Sequence, residues 1–109
     1  MRKIEQEMLA AINDRRDWVK GNTAVEIAQH IGNPYCIATV YLHGNLIAEI
    51  VHPEEVRTHD APGMDWKAEA DEQTVAEWPT NTTFSRLRAL GIQGGREKGK
   101  PVIDGRVLA

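Results

Sequence analysis

One cysteine, one serine and one phenylalanine occur among the 109 residues of this chain, and each scarcity excludes something. With Cys36 as the single cysteine, the sequence excludes an internal disulfide and fits a reducing compartment. Its position in the apolar run CIATVYL marks it as a buried, inert thiol. Ser85 adjoins Arg86 and has no histidine near it in sequence, so it lacks the base that activates a serine nucleophile. No window approaches the roughly 20 consecutive apolar residues of a membrane-spanning helix. The opening MRKIEQEMLAAI carries acids where a secretory signal has an unbroken apolar stretch. These absences predict a cytoplasmic protein with no membrane partner.

Catalytic and metal-binding patterns are scarce as well. The histidines are His30, His43, His52 and His59, and none has the helical i, i+4 spacing or the Cys/His pairing of a zinc site. Carboxylates are plentiful, but no spacing singles out an acid/base pair. Gly94 to Lys100 satisfies GxxxxGK, the first part of a phosphate-cradling loop. Position 101 is Pro rather than the magnesium-ligating Ser or Thr, and no strand precedes the glycines. The expectation is a protein that is not an enzyme, with no catalytic residues, no metal and no cofactor.

What is present is a division of charge. Residues 1–80 hold seven Lys/Arg against fourteen Asp/Glu, a balance of −7, whereas residues 81–109 hold six against two, a balance of +4. The chain therefore reads as a single domain over 1–109, an acidic body (1–80) joined to a basic helix-hairpin module (81–109). Such asymmetry points to a charged partner.

Local patterns predict an α+β fold: a small antiparallel sheet built from hairpins, an N-terminal helix and a second helix near residues 81–90. Residues 2–16 place Ile4, Met8, Ala11 and Ile12 at helical spacing, with Arg15 and Arg16 closing the last turn. Gly21-Asn22 breaks the chain before a short strand at 23–28, and Gly32-Asn33-Pro34 marks a loop. Cys36–Leu42 and Leu46–Val51 flank Gly44-Asn45 as a tight hairpin, pairing Leu42 with Ile47 and Tyr41 with Ala48. Residues 53–70 read as an acidic loop with Trp66 as its anchor, and residues 71–78 lean towards strand. Thr80 or Asn81 caps the second helix, Phe84, Leu87 and Leu90 form its buried stripe, and Gly91 stops it. Turns near Glu97-Lys98-Gly99 and at Asp104-Gly105 fold the rest into hairpins.

The basic module carries the strongest candidate binding residues. Thr82 and Ser85 offer hydroxyls near a helix start, where free N–H groups favour anions. Arg86 and Arg88 lie off the Phe84–Leu87 stripe, and Arg96, Lys98 and Lys100 fall within five residues. Together these seven residues could follow a nucleic-acid backbone, with Gly94 and Gly95 allowing adjustment. Were residues 71–78 helical, 71–90 would become a helix-turn-helix with the hairpin as a wing, resembling excisionase-type DNA binders. The cluster could instead bind the acidic half of its own chain, internally or in a homodimer.

The segments GNTAVE, VYLHGNLIAEI and WPTNTTFSRLRALGI, followed by an apolar–Asp-Gly–apolar hairpin, run through most of the chain. In that order they resemble a family of small phage-encoded proteins of unassigned function. The resemblance implies expression in the cytoplasm of a bacterial host and a role in phage DNA transactions or host takeover. It carries over no catalytic residue.

Two readings follow. In the first, a small phage accessory protein acts by binding, contacting nucleic acid or a nucleic-acid complex through its basic C-terminal module. In the second, an acidic surface around residues 54–77 binds a host enzyme or defence complex as an inhibitor, imitating phosphate charge.

Overall fold

The computed structural model describes residues 2–29, 35–53 and 67–108. Its elements in chain order are α1 (Lys3–Asn13), β1 (Trp18–Lys20), β2 (Thr23–Gln29), β3 (Tyr35–Leu42), β4 (Asn45–Pro53), β5 (Lys67–Ala70), α2 (Glu72–Glu77), α3 (Asn81–Ala89), β6 (Gly94–Glu97), β7 (Lys100–Ile103) and β8 (Arg106–Val107). Strands β1 to β5 form an antiparallel sheet in sequence order, and β6 to β8 form a second, three-stranded one. The fold is α+β, as the sequence predicts. The Gly32-Asn33-Pro34 loop and Trp66 lie outside the described residues.

Alternation along the strands sorts the large sheet into two faces. Val25, Ala38, Val40, Leu42, Ala48 and Ile50 point inward and are buried. They join Met8 and Ile12 of α1, Val75 of α2, Phe84 and Leu87 of α3, and Ile103 of β7 in one hydrophobic cluster. Residues of the acidic body and of the basic module thus share a core. A buried side chain of this size stabilises by roughly 1.5–3 kcal/mol, so neither part can be removed without opening the other.

Several expectations need correction. Residues 71–78 are not a strand: Asp71 caps α2, its side chain accepting from the Thr74 N–H at 3.0 Å. That cap, with Pro79 ending the segment, outweighs the strand preference of Thr74 and Val75. Lys67–Ala70 is a strand on the edge of the sheet rather than loop, paired with β4. The first helix stops at Asn13, and Arg15 lies beyond it at φ 53°, so no basic residue occupies its last turn. Strand β1 escaped the sequence reading because it has only three residues. Asp17 compensates for that shortness by accepting from the Ile27 N–H at 2.8 Å, beyond the end of β1.

The central hairpin also turns one residue earlier than predicted. His43 and Gly44, at φ 52° and 80°, occupy the turn, and Asn45 begins β4 opposite Leu42. A bulge between Val40 and Tyr41 then shifts the register, so Tyr41 faces Leu46 and Val40 faces Ala48. The bulge lets Ile47 and Ala48 both be buried. Leu42 and Ile47 do share the buried face, without being paired.

The C-terminal signals hold. Thr80 caps α3, accepting from the Thr83 N–H at 3.1 Å. Gly91 stands at φ 87°, its N–H donating to the Arg88 carbonyl and that of Ile92 to the Leu87 carbonyl, both at 3.0 Å. This pair of bonds is a Schellman stop. Lys98-Gly99 and Asp104-Gly105 form tight turns, each with two successive positive φ angles.

Candidate functional site

The seven residues singled out from the sequence do not stay together. Arg86 is withdrawn into the interior, 3% exposed. Its Nη1 donates to Glu5 Oε2 at 2.8 Å and its Nε to Thr23 Oγ1 at 3.1 Å. Ser85 donates its hydroxyl to the same Glu5 oxygen, and the Arg2 N–H donates to Glu5 Oε1 at 3.1 Å. Burial pushes the Glu5 carboxyl up, but the hydrogen bonds from Ser85, the Arg2 backbone and Arg86, with the charge of Arg86, outweigh it. The carboxyl is held below its ordinary value. Ser85 and Arg86 therefore clamp α3 to α1 and β2.

This clamp extends to the surface turns. The Thr23 hydroxyl donates to Asn22 Oδ1 at 3.0 Å, the His43 N–H donates to the Asn22 carbonyl at 2.8 Å, and Asn22 Nδ2 lies 3.4 Å from His43 Nε2. The GNT, YLHGN and TTFSRL segments thus meet in one polar network, which accounts for their residue types through structure. Nothing in the one-dimensional pattern pairs Glu5 with Arg86.

Arg88, Arg96, Lys98 and Lys100 remain at the surface, with Thr82 half-buried in the first turn of α3. Arg88 donates to the Gly94 carbonyl at 3.0 Å, fastening α3 to the hairpin. Arg96 reaches the Pro79 carbonyl and, at 3.4 Å, Asn81 Oδ1, with its guanidinium 5.9 Å from the centroid of the Phe84 ring. Gly94 permits this packing: a Cβ there would lie 3.2 Å from Phe84 Cδ1 and 3.3 Å from Ile103 Cδ1. Among the described residues, no carboxylate comes within ion-pair distance of Lys98 or Lys100, although Glu97 stands opposite Lys100 across the hairpin. The GxxxxGK stretch is two antiparallel strands joined at Lys98-Gly99, without the strand–loop–helix geometry of a phosphate cradle.

Residues 71–90 do hold two successive helices, α2 and α3, but α3 is packed on most sides. Only Asn81 and Arg88 of its residues are exposed, too few to read base edges from a major groove. Contact through this module would be to phosphates.

The outer face of the large sheet was missed in the sequence. Glu26, Thr39, Glu49 and Glu69 lie in one row across β2 to β5, pointing away from the helices. The three carboxylates are exposed, and Glu49 and Glu69 stand directly opposite one another. Glutamates at outward positions of otherwise apolar strands were the available signal.

Among the described residues, no group of three or more His, Cys, Asp or Glu is placed to hold a metal ion, and no helix is long and apolar enough to cross a membrane. His43 is the one histidine whose side chain falls among them. No curated protein and no solved structure matches the chain. A family profile does match, over residues 1–104, and so takes in the GNT, YLHGN and TTFSRL segments that the polar network joins. The chain belongs to the Kyanoviridae Gp96 protein family and is a phage protein.

Proposed function

We propose that this phage protein acts by binding, and that its C-terminal hairpin contacts the backbone of a nucleic acid, free or within a complex. The observation that carries this reading is that Lys98 and Lys100 are exposed at the hairpin turn and in no ion pair among the described residues, on the module that also carries the anchored guanidiniums of Arg88 and Arg96. Thr82, half-buried on the first turn of α3, adds a hydroxyl to the module. Contacts of this kind position a protein on phosphates and carry little sequence information. Binding is then weak in sequence preference and steep in its salt dependence.

Fluorescence-anisotropy titrations of single-stranded DNA, double-stranded DNA and RNA at several salt concentrations test this. Replacing Arg96, Lys98 and Lys100 together by Ala is expected to flatten the salt slope by about two to three units. Equal slopes for wild type and variant, or no binding by either at low salt, would reject the reading.

A second reading is an inhibitor that docks a host enzyme or defence complex through the acidic surface around residues 54–77. Residues 54–66 lie outside the described residues, and the Glu26–Glu49–Glu69 row is the acidic surface that supports this reading. On that account DNA is not retained at any salt concentration, and the carboxylates rather than the lysines carry affinity.

A further inference from the structure

The two sheets expose faces with matching patterns. On the large sheet, the register places Val19, Ala24, Tyr41 and Leu46 in an apolar row across β1 to β4. Val19 is 74% exposed, and the other three are half-buried. The neighbouring row, two residues along β2 and β3, three along β4 because of the bulge, and continued onto β5, is that of Glu26, Thr39, Glu49 and Glu69. On the small sheet, Gly94 and Ile103 face the core, so alternation turns Gly95, Val102 and Val107 outward in one row. Val107 is 54% exposed. The next row there holds Glu97 and Lys100, with Lys98 at the turn.

From these rows we infer that the outer face of the small sheet of one copy packs on the outer face of the large sheet of a second copy. Apolar row meets apolar row, and Lys98 and Lys100 meet Glu49 and Glu69. Face-to-face sheets pack about 10 Å apart, close enough for both rows to interdigitate. The large-sheet face is also primed for cations. Glu49 and Glu69 repel each other across the strands, and among the described residues no Lys or Arg pairs with either. A lysine placed between them relieves that repulsion. Because the two contacting faces differ, the contact is head-to-tail, and association continues beyond a dimer unless the rotation closes a ring.

Sedimentation velocity of the full-length protein tests this. At low salt the average mass is expected to rise with protein concentration, and added salt should reverse the rise. Lys98→Glu/Lys100→Glu and Glu49→Lys/Glu69→Lys should each be monomeric alone and regain mass when mixed, since the swapped charges again attract. Glu97→Lys removes the one acid of the lysine row and should strengthen association. Circular dichroism checks each fold, and Gln versions replace any reversal that fails to fold. A wild type that stays monomeric at every concentration and salt, reversals that leave association unchanged, or a mixture that stays monomeric would overturn the inference.

Added DNA separates this contact from the nucleic-acid reading, because both use Lys98 and Lys100. DNA that binds and dissolves the assemblies supports both. Assemblies that persist while DNA stays unbound leave this inference standing and remove the other.

Discussion

The guanidinium of Arg86 and the carboxylate of Glu5 meet at 2.8 Å across 81 positions of sequence, with side chains 4% and 3% exposed. A charge pair this deep depends on each member having the other, since desolvation is repaid only while both are present. Arg86→Ala is therefore expected to cost about 3–5 kcal/mol in denaturant unfolding. The double substitution Glu5→Leu/Arg86→Met, apolar and similar in length, should recover most of it. A double variant as unstable as the single one would show that packing, not unpaired charge, sets the cost.

The lowered Glu5 carboxyl makes a pH prediction. Its ordinary value is about 4.5 and the folded value lies below that. The stability that Glu5 contributes is thus fully present above about 4.5 and lost as pH falls through the folded value. Glu5→Gln should be less stable at neutral pH, yet flatter in its melting temperature as pH is lowered. Parallel curves for the two proteins would mean that another carboxylate dominates the acid limb.

Positive φ in the central turn falls on His43 and Gly44, not on Asn45. His43→Val should destabilise by about 1 kcal/mol or more, because a β-branched residue resists that conformation. Asn45→Val, within β4, should be tolerated or mildly stabilising in the same thermal melts. The opposite order would return the turn to Gly44-Asn45.

Two C-terminal glycines should fail for different reasons. Gly91→Ala meets no atom within 4 Å, so its cost of about 1 kcal/mol comes from the left-handed backbone alone. Gly94→Val instead crowds Phe84 and Ile103, and overpacking of that kind typically costs 1–3 kcal/mol. Calorimetric melts of the two variants, with a further Phe84→Leu change that opens space, should rescue only the Gly94 variant.

Much of the local architecture was legible in the residues. Thr80, the Phe84–Leu87–Leu90 stripe and Gly91 delimit α3 because capping, helical periodicity and left-handed backbone each act within a few residues. Lys98-Gly99 and Asp104-Gly105 announce their turns for the same reason. Residues 71–78 misled because strand preference at Thr74 and Val75 competes with a cap at Asp71, and propensities differ by less than tertiary packing can supply.

The candidate binding residues show where sequence stops. Residue type and spacing determined that the C-terminal module is basic, and that it folds as helix and hairpin. Tertiary structure alone decided which cations face solvent. Arg86 sits one helical residue from Leu87, and only the approach of Glu5 on α1 and Thr23 on β2 turns its charge inward. The same holds for the carboxylates: Glu26, Glu49 and Glu69 are scattered along the chain, and strand register alone aligns them. Short-range stereochemistry is written in neighbouring residues, whereas burial and charge pairing depend on partners that folding brings from far along the chain.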